Sequence, residues 1–314
     1  MSTNDFFRIR LSTIRPLEPV PFDIFIFIDG KMINYLKQGD AFKADKVQAL
    51  HKKDTGESFF VLNDKKQFYR DYVKSSMNSA LLSNNDKAAI LRESSIAILE
   101  DLFENPDVGL ALADSRPIVA DLIQFMDIAP ESIGNLISLS GHDFYTYNHS
   151  FDVSIYSLGL GQALGFDKKT LEELGQSSLF HDVGKRNVSI EILCKKGPLD
   201  EKEWAEMRMH PQFGLKILNE QPSISEAIKA ACYEHHESWS GGGYPQDLSG
   251  PEIHPFGRIV ALTDTYDAMT TQRSYNVPMK PAEALNMMKN KLSGRFDPEM
   301  LKAMYSVLFK MKAS

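Results

Sequence analysis

The run Ile24-Phe-Ile-Phe-Ile28 packs β-branched and aromatic side chains between the prolines at 19 and 21 and the pair Asp29-Gly30. That composition, closed by a strong turn signal, predicts a strand entering a hairpin, with a return strand beginning near Met32. Ala44 to Leu50 has short helical spacing, and Ser58 to Leu62 reads as a further strand ended by Asn63-Asp64. The aromatic residues Phe22, Phe25 and Phe27 are expected in a core rather than a ligand pocket. From Asn85 the period lengthens. Ala88, Ile90, Leu91, Ile96, Ile98, Leu99, Leu102 and Phe103 recur three and four apart until Asn105-Pro106 closes the run. Asp114 to Met126, with Pro117 tolerated in an opening turn, and Glu131 to Ser140 predict two more helices, and strand signals are scarce from there to Ser314. The pattern predicts a mainly α chain: a small α/β module over residues 1–80, a helical connector over 81–135 and a helical domain over 136–314. The change of texture puts the boundary near 80 or near 135.

Composition narrows the function classes. With 314 residues, 43% of them hydrophobic and 25% charged, the chain is an ordinary globular protein long enough for two cores. Lys plus Arg number 35 and Asp plus Glu 42, a formal charge of −7, which argues against long nucleic acid as a partner. A small anionic ligand then needs a metal or local cations to offset that charge. Cys194 and Cys232 each lie in an apolar stretch and are expected in the core, with no disulfide framework, as suits a cytoplasmic protein. The longest apolar run, Phe22 to Ile28, contains Asp23 and falls far short of the ~20 residues of a membrane-spanning helix. Met1 to Arg10 lacks the pattern of a signal peptide, so no membrane role is expected.

Of the eight histidines, His149, His181, His210, His235 and His236 stand with acidic residues beside or between them, as in His181-Asp182. A neutral imidazole offers one lone pair and a carboxylate can bridge two cations, so this mixture suits a two-metal site. Leu171 to Phe180 is helical enough to carry His181-Asp182 at its end, and Lys185 shares their face if that helix continues. Any one of these histidines taken alone is more often a core or surface hydrogen-bonding residue than a ligand.

The segment Phe180-His-Asp-Val-Gly-Lys185 resembles the signature of the HD phosphohydrolase superfamily. Its continuation is similar to the HD-GYP group: Val188 to Asp200, Glu203-Trp204, Met209-His210-Pro211, Gly214 to Leu218, Glu234-His-His-Glu-Ser-Trp-Ser-Gly-Gly-Gly-Tyr-Pro245 and Arg258 to Ala268. The resemblance implies an all-α HD-domain helical bundle whose metal ligands are His149, His181, Asp182, His210, His235, His236 and Asp264. Asp182 would bridge, and Asp267 would take a supporting role. Some relatives hold a third metal through a Glu where this chain has Tyr145, so two divalent ions are expected, iron or manganese in keeping with the thiolate-free donor set. Two such ions can share a hydroxide made at neutral pH and bind the phosphate under attack. Asp182 and Lys185 would be the catalytic residues, and Lys185, Gly243, Tyr244 and Arg273 the substrate-binding ones. The glycine loop Ser240 to Pro245 taken by itself reads equally as a surface turn.

In function, the resemblance implies a phosphodiesterase that opens cyclic di-GMP to the linear dinucleotide and to GMP. Two departures keep an alternative in view: Ser240 stands where the group has Asp, and Ser274 and Asn276 replace Pro and Arg around Arg273 and Tyr275. The alternative is a degenerate receptor that binds cyclic di-GMP or a partner protein without turnover; an enzyme acting on another nucleotide is a third reading. The amino-terminal module is expected to regulate, through a signalling partner protein or a homodimer contact.

Overall fold

Asp29 and Gly30 adopt φ angles of 48° and 77°, the consecutive left-handed pair that a tight hairpin requires. They join β2 (Ile24–Ile28) to β3 (Lys31–Leu36), the hairpin the apolar run predicts. The structure is a computed structural model that describes residues 5–42, 59–104, 107–130, 136, 146–271 and 277–312. The expected helix at Ala44–Leu50, all of Glu131–Ser140 except the buried Leu136, Tyr145, and Gln272–Asn276 with Arg273 lie outside the described residues.

The chain divides into two units, Met1–Asn105 and Pro106–Ser314. The divide falls inside the stretch read as a connector, so α2 (Asn84–Glu104) belongs to the first unit and α3 (Val108–Ile128) to the second.

In the first unit β1 (Phe6–Ile9), β2, β3 and β4 (Phe59–Leu62) form an antiparallel sheet in the order β1-β4-β2-β3. Helix α1 (Lys66–Met77) follows β4. The core joins Phe7, Ile9, Phe22, Ile24, Ile26 and Val61 to Tyr69 and Tyr72 of α1. Strand period decides the aromatic positions: Ile24 and Ile26 face inward, so Phe27 is 41% exposed and not in the core. Phe22 is buried as expected.

The second unit is helical among its described residues: α3, α4 (Thr146–Ala163), α5 (Lys168–Leu179), α6 (Ile190–Leu193), α7 (Glu201–Met207), α8 (His210–Asn219), α9 (Glu226–Glu234), α10 (Pro255–Thr270), α11 (Pro281–Asn290) and α12 (Pro298–Lys312). Helix α3 begins at Asp107, whose carboxylate caps the Leu110 N–H at 3.0 Å. Pro117 therefore lies mid-helix and not in an opening turn. Val153, Tyr156 and Leu160 of α4, Leu174 of α5 and Ile259, Val260 and Leu262 of α10 form the centre of a core that Met288 and Met304 complete. Cys232 is buried, but Cys194 is exposed, contrary to expectation, because it ends the four-residue α6, of which only Ile192 is buried. No helix among the described residues is long and apolar enough to cross a membrane.

Candidate metal centre

Three helix ends deliver four of the five histidines, and His149 comes from the start of α4. Helix α5 stops at Leu179, so His181 and Asp182 lie just beyond it, followed by a 3-10 turn over Val183–Asn187. His210 follows the end of α7 and opens α8, and His235-His236 follow α9. The last carbonyls of a helix have no partner inside it. Here they are used: the Nδ1–H of His181 donates to the Ser178 carbonyl at 2.7 Å, that of His210 to Met207 at 2.7 Å and that of His235 to Cys232 at 2.9 Å. A carbonyl only accepts, so each ring carries its proton on Nδ1 and leaves a bare lone pair on Nε2. The 3-10 turn crosses α8 so closely that a Cβ at Gly184 would fall 1.9 Å from the His210 carbonyl oxygen. Glycine at 184 is thus the condition for His181-Asp182 to reach His210.

Asp182 sits in the middle. Its Oδ2 lies 3.3 Å from His181 Nε2 and 3.6 Å from His149 Nε2, while its Oδ1 lies 3.3 Å from His210 Nε2 and 3.7 Å from His235 Nε2. Each oxygen therefore faces its own set of imidazoles. Asp264, from α10, approaches His149 Nε2 at 3.1 Å, and Asp267, one turn on, accepts from His149 Nδ1 at 2.6 Å. The bare Nε2 atoms of His210 and His235 face each other at 3.2 Å, and the candidate ligand atoms of His210, His235 and His236 all lie within 4.8 Å of one another, as do those of His149, His181 and Asp182. His181 Nε2 and Asp182 Oδ1 are buried without a hydrogen-bond partner among the described residues. Lone pairs turned toward one another and left unsatisfied in the interior are costly unless cations lie among them, so the donor set fits metal ions. All seven side chains named from the sequence are brought together, and Lys185 joins them by a route the helical reading missed. It lies on the 3-10 turn, where positions three apart are eclipsed, and its Nζ donates to Asp182 Oδ2.

The protonation states agree. Burial, reinforced by neighbouring histidines, holds His235 well below the ordinary histidine range and takes His236 down to about 3. Burial also lowers His210, against the pull of Asp182. For Asp182 burial acts to raise the carboxyl, but Lys185 and the histidines outweigh it and hold it well below the usual range. Asp264 is likewise held down by His149, His181 and His236 against the effect of burial. At neutral pH His210, His235 and His236 are therefore neutral and Asp182 and Asp264 ionised, the forms that bind metal.

The family model described as HD domain matches residues 131–300, more than half of the chain. The chain belongs to the HD domain family. It is of the HD-GYP kind, and its fold matches that of Bd1817, an HDG"Y"P protein from Bdellovibrio bacteriovorus, at a TM-score of 0.75 with 22% identity, covering 97% of this chain and 99% of that one. The chain is 32% identical over 228 residues to cyclic di-GMP phosphodiesterase PA4108 of Pseudomonas aeruginosa, covering 72% of this chain and 53% of that protein. It is 29% identical to 3'3'-cGAMP-specific phosphodiesterase 3 of Vibrio cholerae, over 68% of this chain and 48% of that one. It is 34% identical to a cyclic di-GMP phosphodiesterase of Thermotoga maritima, over 51% of this chain and 44% of that one. The chain thus spans about half the length of these curated relatives.

The HD-GYP loop after His236 is fixed by residues that motif reading passed over. Glu237 is buried and accepts the N–H groups of Gln246 at 2.6 Å and Leu248 at 3.0 Å. Asp247 accepts the Gly242 N–H. These carboxylates anchor the loop in which Ser240 replaces the group's Asp; Ser240 itself donates its N–H to the Gly294 carbonyl at 2.9 Å. A Cβ at Gly243 would fall 2.5 Å from Glu237 Cα, so this glycine has a packing reason for its identity. The Tyr244 ring stacks on His236 with centroids 4.7 Å apart, and its phenol is pushed up by burial. Glu237 follows the paired histidines directly, and an acid beside a glycine-rich turn is the signal that points to it.

Proposed function

We propose that the chain hydrolyses a phosphodiester bond of a cyclic dinucleotide, with cyclic di-GMP as its substrate. One observation carries this reading: the Asp182 carboxylate lies between two groups of imidazoles, one facing each oxygen. His149, His181 and Asp264 would hold one divalent ion, His210, His235 and His236 a second, with Asp182 shared between them. Iron or manganese suits these donors. Such ions supply Lewis-acid polarisation of the phosphate and a nucleophile at neutral pH. Asp267 keeps the His149 proton on Nδ1 and so directs its Nε2 inward. Lys185 keeps Asp182 ionised and aligned, and its positive charge opposes the charge that builds up on the phosphate. Gly243, Tyr244 and Arg273 are the proposed contacts to the rest of the substrate.

The names of the curated relatives, which include cyclic di-GMP and 3'3'-cGAMP phosphodiesterases, support the substrate class. The first unit is proposed to regulate the second through a partner protein or a second copy of the chain, in a cytoplasmic setting. The test is chromatography of products after incubating manganese- or iron-loaded protein with cyclic di-GMP. Linear dinucleotide is expected, with His181→Ala and Asp182→Ala reducing turnover to background. No product from fully loaded protein would overturn the reading, and saturable binding without product would favour the receptor that Ser240 and Asn276 motivate.

A further inference from the structure

Two cations stand beside the histidine cluster in different circumstances. Lys185 is engaged by Asp182. Arg208 caps α7, two residues before His210, and its main-chain N–H donates to the Trp204 carbonyl at 2.9 Å, so the helical turn extends through it. Its guanidinium carbon lies 5.0 Å from the centroid of the Tyr244 ring. Tyr244 is in turn stacked on His236 at an interplanar angle of 21°. One aromatic ring therefore separates Arg208 from the candidate metal centre. Arg208 is exposed, and among the described residues its guanidinium meets no carboxylate or carbonyl. Arg295 adds a second positive charge acting on Tyr244, on a turn that the loop pairs with through the Trp239 N–H and the Arg295 carbonyl at 3.0 Å.

A guanidinium lying against an aromatic face keeps its N–H edge free and loses little further freedom when that edge binds. The fork of N–H groups matches a phosphate in two-point contact. A cyclic dinucleotide carries two phosphates in one ring, so while one occupies the Asp182 centre the other must lie just outside it. In a chain of charge −7, an arginine in that position with no acidic partner is the group such a phosphate requires.

We propose that Arg208, placed over the Tyr244 ring, binds the phosphate of the cyclic dinucleotide that is not being cleaved. This rests on the reading of the chain as a cyclic dinucleotide phosphodiesterase. The test uses the full manganese-loaded chain, with bis(p-nitrophenyl) phosphate as a reporter that occupies the metal centre but has no second phosphate. Inhibition of its initial hydrolysis by cyclic di-GMP and by cyclic di-AMP is measured for the wild type, Arg208→Ala and Arg208→Lys. The inhibition constant is expected to rise about tenfold in Arg208→Ala for both dinucleotides, with Arg208→Lys in between because it keeps the charge but not the planar fork. Equal constants in the wild type and Arg208→Ala would overturn the assignment, as would a loss confined to cyclic di-GMP, which would mean that Arg208 reads guanine. If neither dinucleotide inhibits the wild type, the functional reading itself fails and the inference with it.

Discussion

A histidine can bind a metal only through a ring nitrogen that has lost its proton, and in four of the five rings here the second nitrogen settles which one that is. His181, His210 and His235 each give the Nδ1 proton to a main-chain carbonyl three residues back, and His149 gives its own to Asp267. Asp267→Ala removes the partner of His149 and frees the ring to turn. Metal affinity should fall about 10- to 100-fold, measured by calorimetric titration of manganese into stripped protein. Unchanged affinity would mean that packing alone holds the ring. The histidines and Asp182 were legible in the sequence because their spacing resembles a known signature, and the structure gathers them around one carboxylate. The carbonyls of Ser178, Met207 and Cys232 were not, since a main-chain acceptor carries no residue identity. Arg208 also escaped, because its meaning depends on Tyr244, 36 positions later in the chain.

At the scale of elements, the site is built where helices stop. The ends of α5, α7 and α9 contribute orphan carbonyls, whose partial negative charge favours cations nearby. The loop after α9 depends on Glu237, which takes two main-chain N–H groups in the interior. Glu237→Ala leaves both donors unpaired and should lower the unfolding free energy by about 1–3 kcal/mol in urea denaturation. A midpoint equal to the wild type's would show that water replaces the carboxylate without penalty. Long periodic elements were readable in advance: α2 runs over the stretch that the apolar spacing from Ala88 to Phe103 marks. Not every short one was. Strand β1 has four residues, includes Arg8 and is defined only by its pairing with β4. Pro117 misled for a related reason, since a proline suits a first turn best and α3 nonetheless carries it mid-helix. The Lys185 turn tightened to 3-10 geometry, which no hydrophobic period records.

For the whole molecule, the buried cluster sets how stability responds to acid. His210, His235 and His236 all titrate below the ordinary histidine value of 6.5 when folded, so below that pH the unfolded chain binds protons the folded one refuses. Their contribution is complete above about 6.5 and is lost as pH falls toward the folded value, about 3 for His236. Asp182 and Asp264, held below 3.8, extend the loss at still lower pH, while Glu234, raised by burial, works in the opposite sense. Chelator-treated protein should therefore become easier to unfold in urea between pH 7 and pH 5; a constant or rising midpoint over that range would contradict it. The formal charge of −7 describes the chain without ions. Two divalent cations in the cleft would reverse its local sign and admit an anionic substrate.

That reversal depends on Asp182 lying between two cations, which anomalous diffraction from crystals of the manganese-loaded chain measures directly. Two peaks are expected, one against His149, His181 and Asp264 and the other against His210, His235 and His236, each bordering a different oxygen of Asp182. A single peak, or a third fully occupied position, would contradict it.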